Sequence, residues 1–191
     1  MNSSQGKLLY STRETALKSI AKQLSYPDTI RFPYGAVLRY VSNKDWSGAC
    51  HATSAMMHIM FSENGHKSRL LLGQGKLRHQ YFDHSWVEID GKTFDIAIAF
   101  GLEAQTHSGP IFAGIDLDSG IPPLITYGAP VVPFDQMTQA VQTQSITDYM
   151  DKNPTMDMWD TLSSLFSRAQ IPFDKNHLQE KYKKAFWEVA I

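Results

Sequence analysis

The chain carries one cysteine, Cys50, and thirty-four positions later the segment His84-Ser85-Trp86-Val87-Glu88-Ile89-Asp90-Gly91-Lys92-Thr93-Phe94-Asp95 begins. A thiol, an imidazole and a carboxylate are the parts of nucleophilic acyl transfer: the thiolate attacks a carbonyl carbon, the imidazole moves the proton, and the carboxylate orients the imidazole. Cys50 follows Trp46-Ser47-Gly48-Ala49 and opens a run in which Ala52, Ala55, Met56, Ile59 and Met60 repeat with helical period. The thiol is therefore expected at a helix N-terminus, where unpaired amides and the helix dipole favour a thiolate. A lone free cysteine more often serves as a small buried hydrophobe. The downstream segment is what turns the reading toward chemistry.

That segment must position two of the three groups. Asp90-Gly91 between two β-like runs is a strong hairpin signal, a two-residue type I′ turn. Ile89 then pairs with Lys92, Trp86 falls opposite Asp95, and His84 opposite Ala97. His84, Trp86, Glu88, Thr93 and Asp95 share one face, while Val87, Ile89, Phe94, Ile96 and Ile98 supply an apolar face on the other. His84 and Asp95 become diagonal neighbours, with Cβ atoms roughly 7 Å apart or less, within reach of a carboxylate to imidazole hydrogen bond. The contact between Cys50 and His84 is left to the tertiary structure.

Around this segment the pattern predicts a helix over 12–24 stopped by Pro27, a short strand over 35–41, and a helix from Cys50 to Phe61 with Gly65 at its C-terminal cap. Strands are expected at 69–72, 85–89 and 93–98. Residues 101–133, rich in proline and glycine, read as a long irregular connection that either wraps the surface or walls a substrate cleft. Residues 134–191 read as two or three helices broken near Pro154 and at Pro172, and the last is expected to expose Lys181, Lys183 and Lys184 and bury Phe186, Trp187 and Val189. The whole, 1–191, is expected to be one α+β domain: a core over about 12–100, the loop, and a helical C-terminal extension.

Eighteen Lys and Arg against nineteen Asp and Glu leave a formal charge of −1 with no charge block, which argues against a nucleic-acid or anionic-membrane binder. No run of eighteen apolar residues and no signal-peptide core are present, and the expectation is a cytoplasmic chain with no membrane partner. A single cysteine forms no internal disulfide.

The order of a cysteine at a helix start, then His-x-Trp-x-Glu-x-Asp-Gly, then an aspartate on the returning strand resembles the transglutaminase-like cysteine enzyme superfamily, over about 46–97. The chain is also similar to that group's smaller bacterial branch, which includes the leader-peptide proteases of lasso-peptide biosynthesis, and more distantly to arylamine N-acetyltransferases. The resemblance implies a papain-like α+β fold, a nucleophile helix packed on an antiparallel sheet, Cys50 as nucleophile, His84 as base then acid, and Asp95 as orienter. It implies a cysteine hydrolase, protease or amidase, or an acyltransferase, acting on a peptide or amide-containing substrate without a cofactor. The pattern departs from the family at His51, where an aromatic or acidic residue often follows the cysteine, and in having no obvious upstream glutamine. For the oxyanion the backbone N–H of Cys50 is the first candidate, with Trp46 or Asn43 as side-chain helpers. Trp86 and Glu88 either shape the site or serve the structure, Trp86 by covering the sheet and Glu88 by pairing with a surface cation. The alternative is a non-catalytic binding or scaffold protein that keeps the fold.

Other motifs read as structural. His51 and His58 lie seven apart on one helix, but no zinc-binding spacing accompanies them, so no metal is expected and His51 is taken as a rim or structural histidine. Gly73-Gln74-Gly75 lacks the rest of a dinucleotide fingerprint and is taken as a strand-end turn. Asp116-Leu117-Asp118-Ser119-Gly120 resembles a calcium loop but has Tyr127 where the bidentate glutamate belongs, and is taken as a polar turn.

Overall fold

The computed structural model describes residues 3–44, 46–100, 108–152 and 156–191. The break expected near Pro154 lies outside these residues. So does the start of the irregular connection, 101–107.

Three helices come first: α1 (Ser3–Gln23), α2 (Asp28–Lys44) and α3 (Cys50–Glu63). The strand expected over 35–41 does not form; the segment is the middle of α2. Ile30, Tyr34, Val37, Leu38 and Val41 are all buried at spacings of three and four, so the helical period outweighs a weak alternation, although Pro33 and Gly35 obscure it. α3 ends as expected. Gly65 takes a φ of 84°, its N–H donates to the Ser62 carbonyl, and the His66 N–H donates to that of Phe61, the paired bonds of a Schellman ending.

The sheet follows: β1 (Ser68–Leu77), β2 (Gln80–Ile89) and β3 (Lys92–Phe94) are antiparallel neighbours. The β2–β3 turn is the expected one. Asp90 and Gly91 both have positive φ, 50° and 69°, and Ile89 pairs with Lys92, Glu88 with Thr93 and Val87 with Phe94. The strand expected over 93–98 is shorter, because after Phe94 the chain leaves β2. Asp95 makes a bridge to Ile111, and Ala97–Phe100 form a 3-10 turn. The predicted pairings of Trp86 with Asp95 and His84 with Ala97 are therefore replaced by a side-chain contact described below.

The connection then builds a small hairpin, β4 (Ile111–Phe112) with β5 (Ile115–Asp116), and lays β6 (Thr126–Gly128) antiparallel along β1 at Gln74–Lys76. Four helices follow, α4 (Gln136–Gln142), α5 (Ile146–Asp151), α6 (Met158–Arg168) and α7 (Lys175–Tyr182), then β7 (Glu188–Val189), which joins the same edge of β1 in parallel at Leu71–Leu72. Helix α7 ends at Tyr182, so the residues expected on its inner face lie beyond it: Phe186 bridges Ser145 and is half exposed, Trp187 is buried, and only Val189 is in the strand. Pro172 separates α6 from α7 as expected.

Two apolar layers sandwich the sheet. Leu70, Leu72, Val87, Ile89 and Phe94 point into a core shared with all three N-terminal helices and with α4, α5, α6 and α7. On the other face Leu71, Trp86 and Ala190 form a small cluster with Tyr127 against it. No described helix is long and apolar enough to cross a membrane.

Candidate active site

Each expected group sits where two elements meet. Gly48, with a φ of 69°, makes the turn before α3, and its N–H donates to the Phe100 carbonyl at 3.2 Å. That bond ties the start of the cysteine helix to the turn that follows Asp95. The N-cap residue is Ala49, which has no side-chain acceptor for the first-turn amides. The positive end of the helix favours a thiolate at Cys50, its first residue.

His84 stands on β2 and Asp95 just beyond β3; they are 4% and 1% exposed. His84 Nε2 lies 2.7 Å from Asp95 Oδ2. The other carboxylate oxygen, Oδ1, accepts the Ile98 N–H at 3.3 Å. With Nε2 taken, Nδ1 is the ring nitrogen left for the thiol. The thiol of Cys50, itself partly buried, is close enough to the imidazoles of His51 and His84 for both to act on its proton affinity.

The electrostatics follow from these contacts. Burial pushes the Cys50 thiol up, but the hydrogen bonds and charges of His51 and His84 outweigh it and bring it down to about 5. Burial pushes His84 down, and the Asp95 carboxylate with the Cys50 thiolate more than reverses this, lifting the imidazole to about 10. The pair therefore titrates as a thiolate beside an imidazolium over a broad span around neutrality.

The helper residues land differently. Asn43 is exposed at the end of α2, and Trp46 sits edge-on against Tyr40 with ring centres 6.0 Å apart. Cys50's side-chain partner from its own helix is instead His51, 7% exposed, whose Nδ1 is 2.6 Å from Ser85 Oγ. Trp86 is 1% exposed; it packs under Tyr127 with ring centres 4.9 Å apart and donates to Glu88 at 3.2 Å. It backs the site without lining it. Glu88 meets Arg69 at 3.7 Å, the expected surface cation.

Two contributors carried no local signal in the sequence. Tyr127, in the irregular connection, donates its O–H to Asp95 Oδ2 at 2.6 Å. Gln74, 3% exposed, donates from Nε2 to Asp83 and to the Val132 carbonyl and accepts the Val131 and Val132 amides. It fastens the connection beside His84. The glycines flanking it are not a strand-end turn but lie in mid-strand. A Cβ at Gly73 would run into the Gly128 carbonyl, and one at Gly75 would come within 2.6 Å of the Phe82 ring. Only bare backbone lets β6 and Phe82 approach there. Tyr149 of α5 is lifted by burial and then by the charge of Cys50, so α5 lies near enough to the thiol to feel it.

Among the described residues no cluster of His, Cys, Asp and Glu could hold a metal ion. Asp116 spends its oxygens on Ser108, Gly109, Asp118 and Ser119, and Asp118 is paired with Arg13 at 2.6 Å. The acidic stretch is a polar turn. No family model matches this chain, and neither curated proteins nor solved structures match it.

Proposed function

We propose that this protein is a cysteine-dependent acyl-transfer enzyme that hydrolyses an amide or peptide bond through a thioester on Cys50. The Cys50 thiolate adds to the carbonyl carbon, and the backbone N–H of Cys50 at the helix start donates to the oxyanion. His84 gives its proton to the leaving amine, and the C–N bond breaks to leave the thioester. His84, now neutral, takes a proton from water, whose oxygen attacks the thioester; collapse releases the acid and restores the thiolate and imidazolium. Asp95 keeps the ring oriented throughout. An amine in place of that water would make the reaction a transfer. A cysteine helix against a sheet that carries histidine and aspartate accords with a papain-like, transglutaminase-like core.

The observation that carries this reading is the 2.7 Å bond from His84 Nε2 to Asp95, beside a Cys50 thiol whose proton affinity the same imidazole lowers. The test is alkylation with iodoacetamide from pH 4 to 10, with the adduct located by mass spectrometry. A Cys50 already reactive near pH 6, on an acid limb near its value of about 5, is the expected result. A rate that rises only with the ordinary thiol titration overturns the reading. Cys50→Ala is expected to abolish turnover of peptide amide probes while leaving the melting curve close to wild type.

A further inference from the structure

The irregular connection delivers one side chain to the triad carboxylate, and the surrounding geometry shows what holds it there. Tyr127 is centred in β6, opposite Gly75 of β1. Its ring is packed over Trp86 at 4.9 Å and tilted against His84 at 5.9 Å. Its hydroxyl donates to Oδ2 of Asp95 at 2.6 Å, the same oxygen that meets His84 Nε2 at 2.7 Å. One carboxylate oxygen therefore serves two donors on one face of the sheet, while the other accepts only the Ile98 amide among the hydrogen bonds described.

We infer that Tyr127 is a positioning residue of this site, holding the Asp95 carboxylate in its orienting rotamer and, by sharing Oδ2, moderating its pull on the His84 imidazolium. The inference rests on the triad reading above. A donor on the oxygen that faces the imidazolium withdraws electron density from it, so the carboxylate stabilises the charged ring less than it would alone. An imidazolium held too tightly is a poor acid toward a leaving amine. The phenol keeps its proton, because burial and then the neighbouring carboxylate push it far above its usual range. Tyr127 thus remains a donor at every pH where the pair works.

The titratable groups that face His84 are Cys50 on α3, Asp95 beyond β3 and Tyr127 on β6, while His51 on α3 acts on Cys50. Asp83, the preceding residue of β2, has its two oxygens taken by Gln74 Nε2 and the Asp135 amide. Tyr34 and Asp116 act electrostatically on Tyr127 itself.

The experiment is Tyr127→Phe in the full chain, which keeps the ring and its packing on Trp86. His84 is titrated by nitrogen-15 NMR in a Cys50→Ala background, with and without the second substitution, so that the thiol does not couple to the ring. The expected result is an upward move of the His84 titration by about one pH unit, a tenfold change in proton affinity. A tyrosine with only a structural role would lower the melting temperature and leave that titration in place, and this outcome overturns the inference. If phenylalanine unfolds the chain, 3-fluorotyrosine in place of Tyr127 supplies a stronger donor and is expected to move His84 downward; no movement is again fatal. The reactivity of wild-type Cys50 separately decides the acyl-transfer reading, so the two can fail independently.

Discussion

The two faces of strand β2 are built on different physics. Toward α3, Val87 and Ile89 enter an aliphatic and aromatic core, where Phe94 meets Tyr26, Tyr34, Phe61 and Phe112 edge-on at 5.2–6.3 Å. On the strand's other face, His84 and Trp86 enter a thin layer with Asp95 and Tyr127 in which each polar tip has a named partner. The first face holds through contact area, which is nondirectional and spread over many atoms. The second holds through a few directed bonds, each of which also sets a proton affinity. A substitution on the first face should therefore be read out as stability, and one on the second as reactivity.

Asp95→Asn is the hardest blow to this contrast. Without the carboxylate charge His84 loses what lifts it to about 10, the imidazolium that stabilises the thiolate is lost at lower pH, and the acid limb of Cys50 climbs from about 5. Turnover of amide probes is expected to drop by about 10³–10⁴, with the limb measured by alkylation against pH. Phe94→Ala is the opposite case. It opens a cavity in the shared core and is expected to cost about 3–5 kcal/mol in urea unfolding, while the pH dependence of Cys50 alkylation in the folded protein stays where it was. If Phe94→Ala moves that limb, the two faces are not separable.

The smallest effect is expected at Gln74, whose side chain belongs to neither layer and fastens the connection. Gln74→Met removes the acceptor of the Val131 and Val132 amides. Their hydrogen exchange is expected to quicken about tenfold, with little change in global stability. Unchanged protection at both amides would show that the segment is held by other contacts.

How much of this was legible depends on how far apart the cooperating residues lie. The β2–β3 register followed from Asp90-Gly91, because a two-residue turn with both φ positive leaves one pairing. The helices that start after Asp135, Ser145, Asp157 and Asp174 are each capped by a side chain that accepts the amide three residues on, yet 134–191 reads as only two or three helices, because the short α4 and α5 show too little period to separate them. The 35–41 segment misled because its alternation is short, while the helical burial that overrides it comes from packing against other elements. The length of β3 was likewise not legible. Asp95 leaves β2 to exchange backbone bonds with Ile111, and nothing near Asp95 announces a partner sixteen residues away.

The local chemistry of the chain, then, was determined by the sequence alone: a cysteine at a helix start, and a hairpin whose turn brings histidine and aspartate within reach of each other. These depend on turn geometry and side-chain period, which operate over a few residues. That the thiol meets the imidazole, that His51 joins it, and that Tyr127 reaches Asp95 was decided only by the tertiary structure. Those contacts close long loops, and closure is selected by burial summed over the whole core, which no short stretch of residues encodes.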